Sequence, residues 1–190
     1  MRITAIESTK NPVLRLLEWG FRRQFGRVLT PYRVVFTRLP RAVAAQLGIY
    51  FGLSGLQSLA PGLQLLLQSR VSGMNGCTFC GDIGRAMATY RGLTLEKADA
   101  VQSWRTSDLF SPPERAALAY VEEATRDRRV SDDTFAALRA HFDDRQIVAI
   151  TWLNAVENYF NLINGPLGIE SDGLCAIAEQ RVAGGARALA

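Results

Sequence analysis

Apolar residues recur at intervals of three and four along most of this chain, the spacing of one buried face on an α-helix. Val13, Leu14, Leu16, Leu17 and Phe21 follow Asn11-Pro12, a capping side chain ahead of proline at the first helical position. Thr30-Pro31 repeats the device. Leu39-Pro40 then closes that segment and opens another to about Leu56. Pro61 opens a strongly apolar helix through Val71. Asn75 or Gly76 precedes a helix that carries Cys77 and Cys80 and runs to Arg91-Gly92, with glycine as its stop. Thr94 caps 95–104, and Ser111-Pro112-Pro113-Glu114 reads as a capping box. Ser131 starts a short helix to about His141. Asp143-Asp144-Arg145-Gln146 starts a longer one, Ile147 to about Ile163, which Asn164-Gly165-Pro166 stops. A last helix covers 173–183. No segment shows the alternation of a half-buried strand. The pattern predicts an all-α single domain of about eight to ten helices with no sheet. Its expected parts are a basic N-terminal helical extension (1–56), a core with the cysteine helix (57–183) and a flexible tail (184–190).

Composition leaves that picture intact. At 190 residues, 48% hydrophobic and 21% charged, the chain is long enough for one globular core. No apolar run is long enough for a membrane span. The start, Met1-Arg2-Ile3-Thr4, lacks the apolar centre of a signal peptide. A cytoplasmic location is therefore expected. Charge adds an asymmetry: residues 1–41 hold nine basic and two acidic groups, and the rest of the chain is net negative. Such a segment can meet nucleic acid or an anionic surface. No aromatic-and-basic pattern of a nucleic-acid module accompanies it. The expectation is a solvated or subunit-contacting face, with no nucleic acid and no membrane contact.

Chemistry concentrates at Gly76-Cys77-Thr78-Phe79-Cys80-Gly81-Asp82. Positions i and i+3 share a helix face, so the Cys77 and Cys80 sulfurs can meet and close a disulfide. The helix start favours a thiolate, which controls attack on peroxides and disulfides. One sulfur attacks and the other resolves the product. The expected order is Cys80 attacking and Cys77 resolving, although the spacing itself does not fix it. Asp82 opposes thiolate formation if close, while Arg85 and Arg70 favour it. Gly81 and Gly84 either pack a helix tightly or let a reductant approach. A zinc site needs four ligands, and only Cys175, His141 and carboxylates remain to complete one. No metal is expected. Cys175 reads as a packing residue and His141 as a helix C-terminal group. Asn154, Asn158 and Asn161 form a polar stripe, bonded to one another across a contact or lining the cysteine pocket.

The apolar helix leading into Arg70-Val71-Ser72-Gly73-Met74-Asn75-Gly76-Cys77-Thr78-Phe79-Cys80, the segment Leu138 to Val148 and the ending Asn164-Gly165-Pro166-Leu167-Gly168-Ile169 resemble the AhpD-like alkylhydroperoxidase branch of the carboxymuconolactone decarboxylase family. The resemblance covers roughly residues 60–175. It implies an all-α fold in homo-oligomers (trimers or hexamers). It further implies hydroperoxide reduction through Cys77 and Cys80, with electrons from a thiol or dihydrolipoyl-type donor and no cofactor beyond that redox-active pair. The family's proton relay does not carry over. Gly84 and Phe79 stand where relatives carry histidine, and Gln64-Leu65-Leu66 stands where they carry glutamate. Asp82, and more remotely Tyr90, are the nearest substitutes. A lactone decarboxylase and a non-enzymatic redox-sensing oligomer are the competing readings.

Overall fold

The computed structural model describes residues 1–183; the expected flexible tail at 184–190 lies outside the described residues. The described residues contain helices and no strand. Helix α1 spans Pro12–Phe25, and the Asn11 side chain accepts from the amides of Val13 (3.0 Å) and Leu14 (3.4 Å). Gly26 at φ 79° ends it in the left-handed conformation that glycine adopts freely. The segment expected to start at Thr30-Pro31 differs: residues Tyr32–Phe36 form a π-helical turn. Thr30 does not cap it, because its hydroxyl and amide are held by the buried Asp172 carboxylate at 2.6 and 2.8 Å.

Helix α2 follows over Ala42–Ser54, α3 over Pro61–Met74 and α4 over Thr78–Met87. The cap of α4 is neither Asn75 nor Gly76 but Cys77 itself, whose Sγ accepts from the Cys80 amide at 3.3 Å. The expected continuation to Arg91 is a separate 3-10 turn, Thr89–Arg91. Helix α5 (Leu95–Ala100) passes into a 3-10 segment, Val101–Thr106, broken at Ser103. Helices α6 (Pro112–Asp127), α7 (Asp132–Arg139) and α8 (Asp144–Asn164) begin at Ser111, Ser131 and Asp143, as their caps predict. His141 lies just past the end of α7. Helix α9 is Leu174–Ala183.

Helix α3 is the central element, packed on α4, α6 and α8. Leu66, Leu118, Leu138 and Ile150, all fully buried, fill the core beneath it. A second apolar cluster joins Leu14, Val28, Tyr32, Val34 and Phe36 to Cys77, Phe79, Cys80 and Leu174. The N-terminal segment therefore covers the cysteine helix. Several of its basic groups serve that covering: Arg27 pairs with Asp172 (3.2 Å), Arg33 with Glu7 (2.9 Å), and Arg38 donates to the carbonyls of Val34 and Thr4. No helix of the described residues is long and apolar enough to cross a membrane.

Candidate active site

Cys77 and Cys80 are joined as a disulfide at the start of α4. Their surroundings differ. The Cys80 sulfur receives two side-chain amides from α8, Asn161 Nδ2 at 3.1 Å and Asn164 Nδ2 at 3.4 Å. Cys77 is left with the Cys80 amide and a long contact of 3.7 Å to Asn164. Donors that face a sulfur stabilise its thiolate. Cys80, in the first turn of α4, thus faces two side-chain amides, whereas Cys77, the cap of α4, faces one backbone amide.

One of those donors also holds a carboxylate. Asn161 Nδ2 donates to Glu157 Oε1 at 2.7 Å, as Ser72 Oγ does at 2.7 Å, and Gln68 Nε2 reaches Oε2 at 3.4 Å. Asn161 is itself fixed by Asn75 Nδ2 on its carbonyl oxygen (2.8 Å). Glu157 is 4% exposed. Burial pushes its carboxyl above the usual carboxylate range, against the pull of the Ser72, Asn161 and Gln68 donors. No basic side chain is paired with it among the described contacts.

Glu157, Cys80 and Asn164 line one cavity of about 970 Å³ between α3, α4, α8 and the N-terminal segment. Its other walls are mostly apolar, with Phe21, Phe25, Leu29, Phe36 and Leu53 among them, and Gln46, Gln64 and Arg91 among the polar exceptions. Tyr32 also faces it, but its hydroxyl is spent on the Leu14 carbonyl (2.6 Å), and burial, with Glu18 nearby, raises the phenol to about 12. Cys77 instead lines a separate cleft of about 380 Å³ on the other side, between α4 and the 95–102 region.

Helix geometry turns Asp82 away from the sulfurs, while Arg85 lines the cleft that Cys77 lines and is held there by other partners. At about 100° per residue, Asp82 points roughly 200° away from Cys80. It caps α9, accepting the amides of Leu174 (2.8 Å) and Cys175 (2.9 Å). The Arg85 guanidinium is tied to Asp99 (2.8 Å), Glu179 (2.7 Å) and the Cys175 sulfur (2.6 Å). Burial pushes the Cys175 thiol up, opposed by Arg85. Arg70 pairs with Glu122 at 3.2 Å. Gly84 is packed, with Ser69 Oγ 3.0 Å from where a side chain would start, whereas Gly81 has nothing in front of it. The Tyr90 hydroxyl is buried with no hydrogen-bond partner among the described residues. In the asparagine stripe Asn154 and Asn158 bond to each other and to Thr125 within the chain, not across a subunit contact, and Asn161 reaches the cysteine pair.

Sequence reasoning missed Glu157 and Asn164. A signal was present, since 154, 157, 161 and 164 fall on one helix face. An acidic residue on that stripe, in an otherwise apolar helix, marks a buried polar site.

Known proteins share this arrangement of helices. The sequence profile of the carboxymuconolactone decarboxylase family matches residues 40–123. Escherichia coli (strain K12) YnjA, an uncharacterized protein, is 35% identical over 172 residues, 89% of this chain and 93% of the relative. A crystal structure from Agrobacterium tumefaciens, described as an AhpD antioxidant-defence protein of unknown function, superposes with a TM-score of 0.68 at 28% identity, covering 73% of this chain and 97% of that one. The debrominase Bmp8, solved as a cysteine-to-alanine variant with 2,3,4-tribromopyrrole, shares the fold at a TM-score of 0.80 and 17% identity, over 96% of this chain and 97% of its own. With its helical order and paired cysteines, the chain is an AhpD-like member of the carboxymuconolactone decarboxylase family.

Proposed function

We propose that the protein is a dithiol-dependent hydroperoxide reductase that works through Cys77 and Cys80. The observation that carries this reading is the placement of Cys80: its sulfur sits under two amide donors and faces a cavity that also holds a buried carboxyl. In the reduced protein the Cys80 thiolate attacks the terminal peroxide oxygen. An S–O bond forms, the O–O bond breaks, and the alkoxide leaves with a proton. Glu157, whose carboxyl burial pushes above the usual range, supplies that proton, in place of the histidine and glutamate that relatives carry where this chain has Phe79, Gly84 and Gln64-Leu65-Leu66. The Cys77 thiol then attacks the Cys80 sulfenic acid: the S–S bond forms, the S–O bond breaks, and hydroxide leaves as water with the Cys77 proton, closing the disulfide. An external dithiol returns the two electrons. No cofactor is needed beyond the pair.

A second reading shares the same atoms. Phe21, Phe25, Phe36 and Phe160 give the cavity aromatic walls that suit a flat ring. Reductive dehalogenation would replace a carbon–halogen bond by carbon–hydrogen, release halide and leave the same disulfide. The exposed Leu47, Tyr50 and Phe51 of α2, with Val148 and Trp152 of α8, support self-association. The expected setting is the cytoplasm, where a dithiol pool keeps the pair cycling.

Turnover of cumene hydroperoxide with dihydrolipoamide tests the first reading and bromide release from tribromopyrrole the second. Cys80→Ser is expected to abolish the activity found. Undiminished turnover in that variant would end the proposal.

A further inference from the structure

The disulfide is a partition between two spaces. Cys80 lines the large apolar cavity and Cys77 does not; Cys77 lines the smaller cleft and Cys80 does not. We propose that the reductant enters by the cleft and attacks Cys77, so that substrate and reductant reach the pair from opposite sides. This rests on the redox reading of the pair.

Leaving-group chemistry agrees with the placement. Exchange is faster when the departing sulfur is the more stable thiolate. Attack on Cys77 expels Cys80, which has the Asn161 and Asn164 donors at 3.1 and 3.4 Å and the start of α4 behind it. Attack on Cys80 would expel Cys77, which keeps the Cys80 backbone amide at 3.3 Å but has one side-chain amide only, Asn164 at 3.7 Å. The steps balance. A thiolate of the incoming dithiol forms a bond to Cys77 Sγ, and the Cys77–Cys80 bond breaks. The second thiol of the donor, as thiolate, attacks its own sulfur in the mixed disulfide and releases Cys77. The donor leaves as a disulfide, two electrons poorer, and its two protons pass to solvent or to the freed thiolates.

Gly81 is the independent mark of this entrance. It lies inside α4, where glycine weakens a helix. No atom lies within contact distance of a side chain built there, unlike Gly84, which Ser69 and Leu65 fill. Nothing among the described residues requires glycine at 81, and the space before it is the cleft beside Cys77. Gly76, at the same rim, is equally open. The cleft is too small for a folded partner's face but suits a narrow arm. Its charged rim is self-compensated, with Arg85 bonded to Asp99 at 2.8 Å. That favours an uncharged dithiol arm over an anionic thiol.

The test separates the half-reactions. The oxidised protein is mixed with dihydrolipoamide in the absence of peroxide, and new thiols are counted by maleimide quench and mass spectrometry. Separately, the reduced protein is mixed with cumene hydroperoxide. Gly81→Leu is expected to slow reduction by about a hundredfold, the scale of displacing an attacking group by about an ångström, and to spare the peroxide step. Gly81→Ala should raise Tm yet slow reduction to a lesser degree, which separates access from folding. Ile83→Trp, which narrows the apolar cavity, should give the opposite split. The proposal is overturned if Gly81→Leu leaves reduction unchanged or slows both steps alike, or if Ile83→Trp is the variant that slows reduction. A protein inert to peroxides would refute the peroxidase reading while leaving the reduction arm measurable.

Discussion

The two apolar clusters are built to different ends. The one under α3, α6, α7 and α8 is filled by side chains with no exposure, such as Leu66, Leu118, Leu138 and Ile150. The one around the cysteines borders about 970 Å³ of open space, which its buried Leu29, Phe36 and Phe79 help to line. Close packing gives stability, and an unfilled face gives room for a reactant. The difference teaches that the closely filled part of the core lies away from the cysteines, while Leu59, Leu65 and Leu153 at its edge share the cavity wall.

Substitutions can break that contrast. Leu118→Ala should cost about 2–5 kcal/mol of stability, as for other fully enclosed leucines, with chemistry per folded molecule unchanged. Leu29→Ala, whose side chain already faces a void, should cost less than half as much. Equal losses in denaturant titrations would show that the clusters are not distinct in packing.

Glu157→Gln sharpens the chemical side. Loss of the proton donor should slow the peroxide step by about a hundredfold, read by stopped flow. Stability should move the other way. Because burial raises the carboxyl in the fold, unfolding releases its proton at any pH between its ordinary value and its folded one. Its contribution to stability is complete below the ordinary carboxyl pKa and is lost as pH rises through the folded value. The glutamine variant should therefore be more stable than wild type at neutral pH, with a flatter pH dependence across that window. A steeper dependence in the variant would show that Glu157 is ionised in the fold.

Asn161→Leu removes the bridge between carboxylate and sulfur. The expected result is a thiol pKa for Cys80 raised by about one unit or more, the scale of a lost charge-assisted hydrogen bond. An unchanged iodoacetamide pH profile would reject the bridge. The smallest effect belongs to Asn11→Ala, which should cost about 1 kcal/mol by uncapping α1. Because α1 walls the cavity, that loss should appear first as faster hydrogen exchange there, while the core helices stay protected.

Helix starts were legible in the sequence because their signals are local. Asn11, Ser111, Ser131 and Asp143 each lie within three residues of the amides they cap. The Thr30 expectation failed because Asp172, 142 residues away, takes both of its polar groups. The cysteine pair was legible for the same local reason. Its surroundings were not: nearness along the chain suggested Asp82 and Arg85, and helical rotation turns both toward α9. Glu157, the carboxyl that does stand beside the pair, lies 77 residues beyond Cys80 and is brought there by the packing of α8 on α3.

The wall contributed by Leu17, Phe21, Phe25 and Phe36 comes from residues that precede the segment matched by the family profile. The sulfurs lie within the matched segment, and their amide and carboxyl partners lie beyond its end. Part of the cavity's apolar wall and the polar partners of the cysteine pair thus come from separate lengths of chain. Grafting the first 39 residues of a relative onto this one would exchange its appetite for one reactant over another and leave its redox machinery in place.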